Sequence, residues 1–121
     1  TPNRETKMTY YETSTGERVS QQTIERRRSA AYKEYYGADR SRSTCEETGL
    51  PSEGSSHIIS QKRCKQLRLT DLIWNPENFF PALNSVNSRW ESNDTTLKNY
   101  WKYMEVVKKY DPEGYNKRLY L

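Results

Sequence analysis

The sequence predicts one small α+β domain, and three observations predict it. Two long segments, residues 20–37 and about 95–110, carry helix caps and helically spaced apolar residues, while the stretches between them read as short extended pieces broken by Pro and Gly. A chain of 121 residues fits one compact domain, with helical extensions, better than two domains. Only 32% of residues are hydrophobic and mean hydropathy is −1.17, so the core must be small and must lean on aromatics, ten of them tyrosines. Such a core is marginal alone, and a dimer contact, nucleic acid or a larger assembly would add burial.

Residues 1–7 are polar and expected to be poorly ordered. Residues 8–19 suit an arm or hairpin that turns at Ser14-Thr15-Gly16 and returns through Arg18 and Val19. Ser20 reads as a helix N-cap, with Val19 and Ile24 placed as a hydrophobic staple, and Gly37 stops the helix. Its apolar stripe, Ile24, Ala31 and Tyr35, is thin beside Arg26, Arg27 and Arg28. Residues 39–53 are loop-like, and Ile58-Ile59 begins a new element. Residues 61–69 form a helical turn or basic loop, followed by an apolar approach, Asp71-Leu72-Ile73-Trp74, and a Pro-initiated turn at Asn75-Pro76. Phe79-Phe80-Pro81 is a short strand that Pro81 ends, and residues 83–91 a short helix.

Asp94 is placed to cap the last long helix, which Asp111-Pro112-Glu113-Gly114 closes. Leu97, Trp101, Met104 and Lys108 recur along it at helical spacing beside Tyr100, Tyr103 and Val107, a packing or oligomer face. Residues 115–121 read as a tail whose Leu119-Tyr120-Leu121 end docks on the domain.

Net charge is +4 and its excess is clustered. Arg18, Arg26, Arg27, Arg28, Lys33, Arg40 and Arg42 face only Glu25, Glu34 and Asp39, and Lys62, Arg63, Lys65 and Arg68 have no acid among them. These clusters flank residue 57 and suit a phosphate backbone, where cations gain affinity by releasing counterions; a solvated basic face is the alternative. The two cysteines, Cys45 and Cys64, are too few and too far apart for a zinc knuckle, and Cys64 reads as a small buried hydrophobe. With no signal-like or membrane-spanning apolar run, the expectation is an intracellular chain with reduced thiols and no membrane partner.

His57 is the only histidine, so any imidazole proton transfer near neutral pH must run through it. Asn78 and Asn87 follow it. A neutral imidazole can accept a proton, an Asn can offer an uncharged oxygen to a cation, and nearby Lys and Arg can hold a polyanion. Each has a plainer reading: a hydrogen-bonded histidine without chemistry, a turn asparagine and a helix-surface amide.

Ser56-His57-Ile58-Ile59-Ser60, Cys64, the run from Asp71 through Asn75-Pro76-Glu77-Asn78, and Asn87-Ser88-Arg89 resemble the HNH family of endonucleases, in a phage-type form. Gly16-Glu17-Arg18-Val19-Ser20 followed by Ile24-Glu25-Arg26-Arg27 belongs to the same resemblance, which covers about residues 9–91 and leaves 92–121 outside. It implies a ββα-metal core over 43–91, with an arm or hairpin at 1–19, a basic helix at 20–37, and a C-terminal helix and tail at 92–121. His57, ending the first strand, would be the general base, Asn78 would fix the imidazole, and Asn87 on the helix would bind one divalent ion, Mg²⁺ or alternatively Mn²⁺. Ser56 stands where many members place an acidic metal ligand and is, with Asn87, the expected metal-site pair. Arg26, Arg27, Arg28, Lys62, Arg63, Lys65 and Arg89 would hold DNA, double-stranded by expectation.

Many members also carry two CxxC pairs that bind structural zinc. Here those positions are Cys45 with Thr48 and Leu83 with Val86, so a small apolar cluster and no zinc are expected. The implied activity is a hydrolase that cleaves DNA phosphodiester bonds in a bacterial or phage-infected cytoplasm. A homodimer or larger phage assembly would form through the C-terminal aromatic helix. The alternative, which Ser56 favours, is a catalytically degenerate scaffold that binds nucleic acid or a protein.

Overall fold

The computed structural model of the chain describes residues 9–37 and 43–121. The expectations for residues 1–8, and for Asp39, Arg40 and Arg42, lie outside the described residues.

The expected hairpin forms from β1 (Tyr10–Glu12) and β2 (Arg18–Ser20), antiparallel with Tyr11 opposite Val19. Ser20 then leaves the strand as N-cap of α1 (Gln21–Tyr36), its hydroxyl accepting the Thr23 N–H at 3.3 Å, and Gly37 ends the helix at φ 83°. Val19 and Ile24 are both buried, which fixes the entry of the helix against the hairpin. The buried face of α1 runs through Ile24 and Tyr32, whereas Tyr35 is 57% exposed. By its last turn α1 has reached the margin of the core, where Tyr35 meets the rings of Tyr36 and Phe79 edge-on at 5.0 and 5.6 Å.

A second sheet pairs β3 (Gly54–His57) with β4 (Phe79–Ala82), antiparallel, with His57 opposite Phe79 and Ser55 opposite Pro81. The strand ends at His57, as the resemblance implies, and thus precedes Ile58-Ile59, where the apolar pattern alone put the start of a new element; Gly-Ser-Ser-His becomes extended through pairing. β4 also runs through Pro81 instead of ending at it. The Pro81 carbonyl accepts the Glu46 N–H at 3.0 Å on the outer edge, so the N–H that proline lacks would have pointed away from β3. Between the strands lie α2 (Gln61–Gln66) and two 3₁₀ turns, Thr70–Trp74 and Pro76–Asn78; after β4 comes α3 (Asn84–Glu91).

The C-terminal part is a helix pair, α4 (Tyr100–Tyr110) and α5 (Pro112–Leu119), not one helix and a tail. Asp94 accepts the Thr96 N–H at 2.9 Å and pairs with Arg89, closing a turn and leaving α4 to start at Tyr100. Glu47, from a distant loop, accepts the Lys98 and Asn99 N–H groups at 2.6 and 2.9 Å, and so serves the N-terminus of α4. Asp111 ends α4 but also caps α5, accepting the Gly114 N–H at 3.0 Å with Pro112 at the first helical position. Leu119, Tyr120 and Leu121 do not dock: Tyr120 is 87% exposed, since α5 buries no residue.

Tyr100, Tyr103, Met104 and Val107 are the buried face of α4, and Trp101 and Lys108 face outward. The face differs from the expected Leu97, Trp101, Met104 and Lys108 series because residues 97–99 precede the helix. Phe80 stacks on Tyr103 at 4.3 Å and Trp90 meets Tyr103 edge-on at 5.3 Å, joining β4, α3 and α4. Cys45 and Val86 lie in the same core with Leu83 packed against it. Burial works to raise the Cys45 thiol, but hydrogen bonds with Thr48 and the Leu83 backbone outweigh it and hold the group below 9.0. No helix among the described residues is long and apolar enough to cross a membrane.

Candidate active site

His57 sits at the end of β3, half-buried between Tyr32 and Phe79, whose rings lie 6.5 and 6.2 Å away. Its Nε2 is 2.9 Å from the Ile73 carbonyl. A carbonyl only accepts, so Nε2 carries the proton and donates it, and Nδ1 of the neutral ring keeps its lone pair. Burial lowers the imidazole pKa below 6.5; the Ile73 carbonyl works against this and the Arg28 charge adds to it. At neutral pH the ring is therefore uncharged, the form a base requires.

Asn78 is fully buried, and its amide closes the segment around His57. Its Oδ1 accepts the Ile59 N–H at 2.8 Å, while Nδ2 donates to the carbonyls of Ile59 at 3.0 Å and Leu72 at 3.2 Å. The first two bonds hold the turn that follows His57. The third holds the 3₁₀ turn whose Ile73 carbonyl fixes the ring. Trp90 Nε1 donates to the Ile58 carbonyl at 2.9 Å and ties the same turn to α3. Cys64 packs beneath it, its thiol pushed up to about 12 by burial and thus inert.

On α3, Asn87 and Glu91 are one turn apart and share a face. Ser56 Oγ donates to Asn87 Oδ1 at 2.5 Å, and Asn87 Nδ2 donates to Glu91 Oε1 at 3.2 Å. Ser56 is buried behind Asn87, whereas Glu91 is exposed. Among the described residues no three His, Cys, Asp or Glu side chains converge on a metal position, so an ion here would rest on Asn87, Glu91 and water. An amide oxygen and a carboxylate are hard donors and fit Mg²⁺, which keeps several waters when bound.

His57, Asn87 and Glu91 open on one cleft of about 620 Å³. Its other walls come from α2, through Gln61, Arg63 and Gln66, and from the α4–α5 pair, through Val107, Asp111, Lys117 and Arg118. Arg63 bridges these walls by donating to both Asp111 oxygens at 2.9 Å. Burial alone would raise the Asp111 carboxyl, but Arg63 and the Gly114 amide hold it below 3.8.

The basic residues expected to grip phosphate are spread over several surfaces. Arg27 is bidentate to Glu17 at 2.9 Å, Arg28 donates to Gln61 at 3.0 Å, and Arg89 donates to Asp94 at 2.7 Å. Lys65 donates to Gln21 at 2.7 Å on the side of α2 facing the hairpin. Arg26 and Lys62 are exposed and unpaired among the described residues. Of the seven, Arg63 alone lines the cleft.

Three cleft residues escaped the sequence reading. Glu91 could have been found from its one-turn spacing to Asn87. Lys117 and Arg118 had no such signal, since only the docking of α5 brings them to the cleft. Arg118 lies 3.7 Å from the centre of the Trp90 ring and donates to the Trp90 carbonyl at 3.0 Å. Comparison of the chain with protein-family models, curated proteins and solved structures finds no match.

Proposed function

We propose that the chain is an HNH-like, metal-dependent endonuclease that hydrolyses DNA phosphodiester bonds, with β3, β4 and α3 as its ββα-metal core. The observation that carries this reading is the neutral His57 ring, held through Nε2 and sharing a cleft with the oxygen donors of Asn87 and Glu91.

In this mechanism Nδ1 of His57 takes a proton from the water that attacks phosphorus, and the bond from phosphorus to the leaving oxygen breaks on the opposite side. Asn87 and Glu91 would hold one divalent ion, Mg²⁺ or Mn²⁺, which as a Lewis acid neutralises charge on the phosphate and leaving oxygen. Asn78 is a positioning residue that acts through the turns on either side of His57. Ser56 orients the Asn87 amide, and Lys62 and Lys117 supply positive charge to the flanking backbone. The substrate would be intracellular duplex DNA.

One observation favours the degenerate scaffold as a second reading: Asn87 Oδ1 already accepts the Ser56 hydroxyl, and no carboxylate stands at position 56. Plasmid cleavage with Mg²⁺ or Mn²⁺, comparing the wild-type chain with His57→Ala, separates the two. The nuclease reading expects cleavage to fall by about 10²- to 10⁴-fold while salt-sensitive binding persists. Equal cleavage by both proteins sinks it, and binding without wild-type cleavage supports the degenerate scaffold.

A further inference from the structure

The helix α2 ends in an arrangement that glycine usually serves. Leu69 N–H reaches the Cys64 carbonyl at 2.9 Å and Arg68 N–H the Lys65 carbonyl at 3.2 Å, with Arg68 at φ 59° between them. Elsewhere the chain meets this demand with residues that tolerate it, Gly37 after α1 and Asn93 after α3. At Arg68 it instead places a long cationic side chain, 80% exposed, whose only ion pair among the described residues is a 3.7 Å contact with Glu12. Packing gives no reason for an arginine at a strained position.

Its surroundings do. Arg68 shares a shallow groove with Tyr10, Tyr11, Arg18 and Lys65, at the edge of the β1–β2 hairpin. Arg18 lies over Tyr10 at 5.5 Å and Lys65 over Tyr11 at 4.3 Å, and Tyr10 is 47% exposed. Among the described residues that line it, three cations oppose Glu12 alone, so this lining is net positive and carries two rings. The cleft lies across α2, which presents Gln61, Arg63 and Gln66 to it and Lys65 to the groove.

We infer that this groove is a second binding surface for the phosphodiester backbone, taking nucleic acid that continues past the cleft over α2, and that Arg68 occupies its left-handed position for its charge. The inference rests on the nucleic-acid part of the proposed function and not on its catalytic part.

The test is binding of a short DNA duplex in EDTA over a salt series, with Arg68→Gly, Arg68→Lys and the double variant Arg18→Gln, Arg68→Gly. Arg68→Gly is expected to keep the wild-type Tm or raise it by a few degrees. It should bind about 3- to 10-fold more weakly, with the slope of log affinity against log salt shallower by about 0.9, and about 1.8 in the double variant. Arg68→Lys should restore most of the affinity. Unchanged affinity and slope in Arg68→Gly, or no duplex binding by the wild-type chain, overturns the inference. Cleavage that survives His57→Ala overturns the catalytic reading and leaves the groove standing.

Discussion

Asn78 and Asn87 belong to the same β–β–α segment, but their environments have little in common. Asn78 is fully buried and bonds only to groups fixed within the protein, whereas the Asn87 amide lies at the cleft between a hydroxyl and an exposed carboxylate. A side chain whose every hydrogen bond is internal can set geometry but has nothing left to give a ligand. A side chain bonded to groups that water, ion or substrate can replace is able to bind. Under the proposed function the two asparagines thus divide into a positioning role and a binding role.

Removing Asn78 is the strongest way to break the comparison. Asn78→Ala should destabilise the domain by about 3 kcal/mol or more, because it leaves the buried Ile59 N–H without an acceptor, takes a donor from the Ile59 and Leu72 carbonyls and opens a cavity. Urea unfolding measures this, and a loss under about 1 kcal/mol would show that the clip is not needed. Glu91→Gln acts on the other side of the comparison. It should raise the Mg²⁺ needed for half-maximal cleavage by about 10- to 100-fold while leaving stability within about 0.5 kcal/mol. Asn87→Ala should shift the same Mg²⁺ titration by about tenfold, and an unchanged titration would remove Asn87 from the metal site.

The pH profile gives the smallest effect. His57 has a folded pKa below its usual 6.5, so the uncharged ring favours the folded state. That stabilisation is complete above about pH 6.5 and is lost as pH falls through the folded value. Cleavage should likewise decline as pH falls, with the midpoint of the His57 limb below pH 6.5, whereas a midpoint above 6.5 would contradict a neutral, held ring.

Features with local causes were legible in the sequence. The hairpin, the Ser20 cap, α1 and its stop at Gly37 each depend on residues a few positions apart. β3 had no local signal, since Gly54-Ser55-Ser56-His57 lacks apolar alternation and is extended because β4 pairs with it; only the family resemblance implied a strand ending at His57. Asp111-Pro112 has the pattern of a helix terminator, yet a capping Asp followed by Pro is also how a helix begins. In the candidate site, the family resemblance implied that His57, Asn78 and Asn87 lie near one another. The direction of each amide, the paired state of Arg63 and the approach of Lys117 depend on tertiary packing, which no local pattern encodes.

The reach of Glu47 to the start of α4 also has a kinetic side. Its bonds to Lys98 and Asn99 join residues 51 and 52 positions apart, so a long loop must close before α4 gains that support. Contacts of such separation belong on the native side of the folding barrier. In stopped-flow experiments Glu47→Gln should therefore accelerate unfolding more than it slows refolding. The helix pair carrying Lys117 and Arg118 would be the last part of the chain to lock and the first to let go.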